Sequence, residues 1–213
     1  MKKKLGKIDY KKIYLKDLVF EKLQRLIYEG ELKQGEKLFE RDIVESFGVS
    51  RTSVRTALER LAAVNLIKII PNRGFEICHW SKEDIRNVSK IRAALERLAI
   101  EQAINNLTEN DIEDFQKIIK KINIALSEDD RDECTYYNHK FHWKIISLSN
   151  NEYLIEMIKP ILDKIRYFGK IYISDRERLK KAFEEHEKIF NAIKNKDVEL
   201  AQRLVEEHSR IDI

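Results

Sequence analysis

Between Ile13 and Tyr28 the apolar positions Leu15, Leu18, Val19, Leu23, Leu26 and Ile27 recur every three or four residues. That interval gathers them on one helical face, so the spacing predicts an amphipathic helix. Gly30 is placed to end it in a left-handed cap, and Gly35 falls in a loop. A second helix is predicted over Glu40–Phe47, turned inward through Ile43, Val44 and Phe47 and broken by Gly48. Ser50 then offers an N-cap to a third helix reaching about Val64, with Val54, Ala57, Leu58 and Leu61 on its inner face. A short helix, a glycine turn and a serine-capped helix make a helix-turn-helix pattern.

After Asn65 the period changes. Leu66-Ile67-Lys68-Ile69-Ile70 is rich in β-branched residues, Pro71-Asn72-Arg73-Gly74 reads as a turn, and Phe75-Glu76-Ile77-Cys78 reads as a second strand. Together they predict a β-hairpin wing. The rest of the chain reads as helix alone, over residues 84–106, 110–127, 131–149, 151–173, 175–195 and 197–210. Ser81 with Asp84 and Thr108 with Asp111 have the spacing of capping boxes. The expected fold is mainly α: a winged helix-turn-helix over residues 9–78, a junction near His79–Lys82, and an all-α antiparallel helical bundle over residues 83–210.

The third helix carries candidate chemistry. It opens Ser50-Arg51-Thr52-Ser53-Val54-Arg55. A recognition helix in the DNA major groove presents polar side chains from its first turns. Arginine there can pair with guanine O6 and N7, and serine or threonine hydroxyls reach phosphates. Arg51 and Arg55 are four residues apart and share a face opposite Val54, Leu58 and Leu61. Arg41 sits near the start of the preceding helix, within reach of a phosphate backbone. Arg73 sits at the wing tip, suited to a minor-groove or phosphate contact. Any one of these arginines is equally readable as a solvated charge; their arrangement is more specific than any member.

Charge sharpens this picture. Residues 1–78 hold 17 Lys/Arg against 11 Asp/Glu, whereas residues 79–213 hold 24 against 26. The positive excess therefore lies in the first third, as a nucleic-acid partner there requires and as a lysine-rich, soluble N-terminus also gives.

This text resembles the GntR family of bacterial regulators. The resemblance is carried by Gly35-Glu36-Lys37-Leu38, Glu40-Arg41-Asp42-Ile43, Phe47 to Leu58, Leu61, and Pro71 to Phe75. Family members usually read Pro-Gly at Gln34-Gly35, and often Pro at Ser53, Glu at Thr56 and Gly at Asn65. By resemblance, Arg41, Ser50, Arg51, Thr52, Ser53, Arg55, Arg73 and Gly74 match the positions that touch DNA. The implied partner is double-stranded operator DNA, bound by a homodimer, since one recognition helix reads few base pairs and a two-fold site doubles them.

The helical part holds His139, His142, His186 and His208 of the five histidines. Asn138 and His142, four residues apart, can face one point inside a bundle; the other histidines come from other segments. On residue type alone these are scattered polar residues. The text Arg92-Ala93-Ala94-Leu95-Glu96, Asn138 to His142 with Ser149-Asn150-Asn151, His186 to Ala192, and Ala201 to His208 resembles the FCD effector domain of the FadR-type subgroup. Metal-binding members ligate with one acid and three histidines. His142, His186 and His208 match the three histidines, and Asn138 stands where the acid is usual. The implied cofactor is a divalent transition metal, zinc or nickel. Arg92 matches an arginine of the effector cavity. It is open to two readings: a bidentate partner for a carboxylate effector, or an ion pair with Glu96 four residues on.

Composition narrows the class further. Charged residues make up 37% and apolar residues 43%, with six Gly and two Pro, which favours helix over turn-rich sheet. Cys78 and Cys134 are far apart, in neither a zinc-type spacing nor a disulfide framework, so a reducing cytoplasm is the simplest setting. No apolar run reaches about 18 residues, so no membrane partner is expected. The leading reading is a ligand-responsive transcriptional regulator, with a small organic acid as effector, and not an enzyme. A direct metal sensor is the alternative. A metalloenzyme fused to a DNA-targeting module is weaker, because no His-Glu-x-x-His or similar spacing supplies a general base.

Overall fold

The structure, a computed structural model, describes residues 14–71, 73–172 and 176–210. Residues 9–13 of the predicted first domain, Asn72 of the hairpin turn, and the predicted helix ends at 173 and 175 lie outside the described residues. The chain divides into two compact units. Among the described residues, one takes 14–27 and 31–79; the other takes 28–30 and 80–210.

In the first unit, α1 (Leu15–Tyr28), α2 (Glu40–Phe47) and α3 (Arg51–Ala63) are joined by a small sheet of β1 (Lys37–Leu38), β2 (Ile67–Ile70) and β3 (Gly74–Ile77). Val19, Leu23 and Ile27 of α1 meet the core together with Val54, Ala57, Leu58 and Leu61 of α3, all buried. From α2 only Ile43 is buried, whereas Val44 and Phe47 are half-buried. An eight-residue helix two turns long commits one full position inward, and the predicted face was too wide. Gly48 ends α2 at φ 63°, its N–H bonded to Val44 O at 3.0 Å, and Ser50 caps α3 by accepting from Ser53 N at 3.2 Å.

Both wing strands form, with Arg73 N–H closing the turn onto Ile70 O at 2.9 Å. The sheet has a third strand that the periodicity did not predict. β1 lies antiparallel on β3, pairing Lys37 with Glu76 and Leu38 with Phe75, so the order is β1-β3-β2. Two residues carry no alternation, and only their partner makes them a strand. Asn65 stands at φ 56°, just after α3, while Leu66 N bonds Leu61 O at 3.0 Å. This left-handed termination is the one that glycine adopts most readily and asparagine next, which accounts for asparagine at this position.

Among the described residues, the second unit is six helices: α4 (Lys82–Asn106), α5 (Glu109–Ser127), α6 (Arg131–Leu148), α7 (Glu152–Tyr172), α8 (Arg176–Lys194) and α9 (Val198–Ser209). Both predicted capping boxes form, Ser81 with Asp84 and Thr108 with Asp111. Short connections turn α6 back on α5, α7 back on α6 and α9 back on α8. After α5 and after α8 the same device works twice: Asp129 and Lys196 take positive φ, and Asp130 N and Asp197 N reach back to Ala125 O and Ala192 O, each at 2.9 Å. Those two aspartates then cap the next helix through their side chains. α4 packs against α6, α7 and α9, and α8 against α5 and α9. The core is aromatic at its centre, where Phe115 meets Phe141 at 5.5 Å and Phe190 at 5.6 Å between ring centroids. No helix among the described residues is long and apolar enough to cross a membrane.

Lys144 fastens α6 to α5 by donating to Asp111 at 2.8 Å and Asp114 at 2.9 Å. Burial pushes the Asp111 carboxyl up, but hydrogen bonds from Lys144 and Thr108 outweigh it and hold the pKa below its ordinary value. A carboxyl depressed on folding stabilises the fold above its unfolded pKa of about 3.9, and that stabilisation is lost as pH falls through the folded value. Lys144→Met is therefore expected to cost about 1 kcal/mol at neutral pH. Urea unfolding should show the gap between variant and native protein closing below about pH 4.

Candidate functional site

In the first unit most of the predicted DNA-reading side chains face solvent. Arg41, Arg51 and Arg55 have side chains 84%, 75% and 66% exposed, and Thr52 and Arg73 are exposed as well. The amphipathic spacing of α3 produces this, because burying Val54, Leu58 and Leu61 turns Arg51, Thr52 and Arg55 outward. Arg41 pairs with Asp42 at 3.3 Å, Arg51 with Glu40 at 3.3 Å, and Arg55 with Glu59 at 3.2 Å. Exposed pairs of this kind are worth little, so a phosphate or base edge can displace the carboxylates at small cost. The Ser50 hydroxyl is occupied by its cap, and it also lies 2.9 Å from the Ser53 hydroxyl.

Gly74 has a reason in the fold itself. Its φ is +87°, and a Cβ there would stand 2.9 Å from the Leu38 carbonyl oxygen on the neighbouring strand. Both backbones belong to the sheet, so neither can give way cheaply. Gly74→Ala is expected to destabilise the first unit by roughly 1–3 kcal/mol, as read from the denaturation midpoint.

In the second unit three helices bring three buried histidines to one point. His142 of α6, His186 of α8 and His208 of α9 turn their Nε2 atoms together: 3.0 Å from His142 to His208, 3.3 Å from His142 to His186, and 3.1 Å from His186 to His208. The outer nitrogens explain the orientation. His208 Nδ1 lies 2.7 Å from Glu185 Oε2. His142 Nδ1 lies 3.1 Å from Glu96 Oε1, off the line of a straight hydrogen bond. An ionised carboxylate only accepts, so both Nδ1 atoms carry the proton and both Nε2 lone pairs point inward. The two lone pairs, on His142 and His208, then face each other at 3.0 Å. A cation at their meeting point would relieve this. Ligation at about 2.0–2.1 Å from each nitrogen places neighbouring ligand atoms roughly 3.0–3.4 Å apart, the spacing found here. The residues present fit a divalent metal.

The charge state fits too. Burial lowers His142 to about 3, with Glu96 pulling it back up only in part. Burial, and then the neighbouring histidines, hold His186 well below its ordinary value. Burial likewise lowers His208 against the pull of Glu185. All three are therefore neutral at pH 7, the form that ligates a metal. The carboxylates behind them stay ionised. Burial pushes Glu96 up, but Arg92, His142 and Ser209 bring it far below the carboxylate range. Burial also raises Glu185, and His208 with Arg178 bring it down to about 2.

A cavity of about 110 Å³ opens beside the triad. Asn138, one turn before His142, is in its wall, as are Arg92, Arg178 and His139. His139 stacks on Trp143 and is not part of the triad. Arg92 holds Glu96 at 3.0 Å as a buried ion pair, the second of the two readings of its sequence position, and it also lines the cavity. The sequence pointed to the histidines but missed what steers them. Glu96 was legible only as a partner for Arg92, and Glu185 only as the neighbour of His186. Arg178, 3.1 Å from Glu185, and Ser209, whose hydroxyl donates to Glu96, left no signal.

Comparison with known proteins gives two family matches: "Bacterial regulatory proteins, gntR family" over residues 15–77, and "FCD domain" over residues 87–210. The HTH-type transcriptional regulator YdhC of Bacillus subtilis is 29% identical over 91% of the chain and 87% of its own length. The HTH-type transcriptional regulator McbR of Escherichia coli is 30% identical over 80% of the chain and 78% of its own length. Its solved structure superposes with a TM-score of 0.78, at 27% identity, covering 93% of this chain and 94% of that one. The gluconate operon transcriptional repressor of B. subtilis is 30% identical over 82% of the chain and 74% of its own length.

Proposed function

This chain belongs to the GntR family of bacterial transcriptional regulators, with an FCD domain as its helical unit, and on that premise we propose that it binds operator DNA as a homodimer under the control of a small acid held near a metal. The observation that carries the DNA reading is the solvent-facing array on α3, where Arg51, Thr52 and Arg55 project from the turns that enter a major groove. Arg41 and Arg73 flank that array for phosphate and minor-groove contacts. Thr52 and Ser53 supply hydroxyls to phosphates, and the Gly74 backbone at the wing allows close approach. Its relatives are named as regulators and repressors, not as enzymes.

In the second unit His142, His186 and His208 would hold zinc or nickel, with Asn138 beside them as a weak oxygen donor. Bound there, the metal supplies an electrophilic centre for an anionic oxygen. Arg92 and Arg178 in the cavity wall favour the same charge. One relative is named for a gluconate operon, and a sugar acid carries the carboxylate that such a site recognises. Glu185 and Glu96 hold His208 and His142 in the tautomer that faces inward, and burial keeps water from competing. The acid would act by favouring one arrangement of the helical domains, and so of the paired DNA-binding units. The cytoplasm is the proposed location.

The test is operator binding by fluorescence anisotropy at fixed salt, using the protein's own promoter DNA against random DNA. Specific binding should appear, and Arg51→Ala should weaken it by about 5- to 150-fold, the equivalent of losing one bidentate base contact. Equal affinity for promoter and random DNA would sink the regulator reading. In a direct metal sensor, operator affinity would instead respond to metal with no acid present.

A further inference from the structure

We propose that Asn138 leaves metal binding at the triad dependent on an incoming carboxylate, so that this domain takes up metal and acid together and holds neither tightly alone. The inference rests on the metal reading of the triad above.

Among the described residues, the charged groups around the triad are Arg92 and Glu96 from α4, Glu185 from α8, and Arg178, also from α8. They form two pairs, Arg92 with Glu96 and Arg178 with Glu185, and each pair sums to zero. The three histidines are neutral. A divalent ion on their Nε2 atoms would bring two uncompensated positive charges into a buried place, which is costly. Neither carboxylate is positioned to neutralise it. Glu96 is turned to Arg92, Ser209 and the Nδ1 side of His142, and Glu185 to Arg178 and the Nδ1 side of His208. Both stand behind the imidazoles, on the side away from the point where the Nε2 atoms meet.

Asn138 is the side chain of α6 one turn before His142 on the cavity wall. It is uncharged, and among the described residues its amide makes no hydrogen bond. It can therefore offer an oxygen to the metal or an N–H to a ligand, but it cannot cancel charge. Three nitrogen donors also leave coordination positions open. The cavity at that point is large enough for a small acid. Its remaining wall is largely apolar, with Leu162, Ile165, Leu179 and Phe183, and among the described residues no other anion lines it. A carboxylate entering there would complete the coordination, cancel one charge and accept from Asn138. Linkage makes the effect reciprocal: acid tightens metal by the factor by which metal tightens acid.

The test uses the full chain stripped of metal, zinc buffered by a chelator, and acetate exchanged for chloride at one ionic strength. Native protein is expected to bind zinc about 10-fold or more tightly in acetate than in chloride, within the usual range of coupling. Asn138→Asp, which keeps the shape and adds the missing charge, is expected to bind zinc about 10-fold more tightly than native protein in chloride. Its response to acetate should fall below about 3-fold. Equal zinc affinity of the native protein in acetate and chloride would overturn the proposal while leaving the metal reading standing. An equal response of native protein and Asn138→Asp to acetate would overturn it as well. Absence of zinc binding by both proteins in both salts would remove the metal reading and this inference with it.

Discussion

His186→Ala is expected to abolish the stabilisation that a transition metal gives this protein. A ligand bound only to the folded state adds RT ln(1 + [L]/Kd), about 4 kcal/mol when free metal stands a thousandfold above Kd. In the native protein, thermal unfolding should shift upward as zinc or nickel is added with a saturating acid. In the variant one corner of the triangle of Nε2 atoms is gone, and the shift should vanish. The metal-free proteins should differ much less than this. His186 is neutral and buried, its Nδ1 has no hydrogen-bond partner among the described residues, and its removal therefore strands no charge. A metal-dependent shift that survives in His186→Ala would exclude the triad as the binding site.

Arg92→Met is expected to cost about 3–5 kcal/mol in the stability of the helical unit, because it leaves the Glu96 carboxylate buried without its cation. Arg92 and Glu96 have side chains only 6% and 1% exposed, so solvent does not screen the loss. Methionine keeps most of the volume, which separates charge from packing. The second half of the cycle is Arg92→Met combined with Glu96→Gln. Removing the stranded charge should recover much of the loss, and the difference measures the pair. If Arg92→Met alone shifts the urea midpoint no more than an exposed arginine does, the ion pair is not structural. Arg92 would then be retained for the effector alone.

How much of this was legible in the sequence follows from the range of each interaction. α3 and its exposed arginines were readable because Ser50 caps within three residues and the apolar stripe repeats within four. The capping boxes at Ser81 and Thr108 are equally local. β1 was not readable, since Lys37 and Leu38 become a strand only by pairing with Glu76 and Phe75. The bends at Asp129 and Lys196 were hidden because neither carries the glycine that usually marks a left-handed cap.

The histidines show the same division. Their spacing along the chain says only that three helices each carry one, and resemblance to a family was needed to group them. The sequence by itself determined the helices, the caps at Ser50, Ser81 and Thr108, the outward face of α3 and the presence of His142, His186 and His208. Only the tertiary structure decided that those three rings share one point, and that Glu96 and Glu185 stand behind two of them. It also decided that Arg92 pairs with Glu96 while lining the cavity. The reason is physical: periodicity and capping act within a few residues, while convergence, burial and pairing of charge arise between helices far apart in the chain.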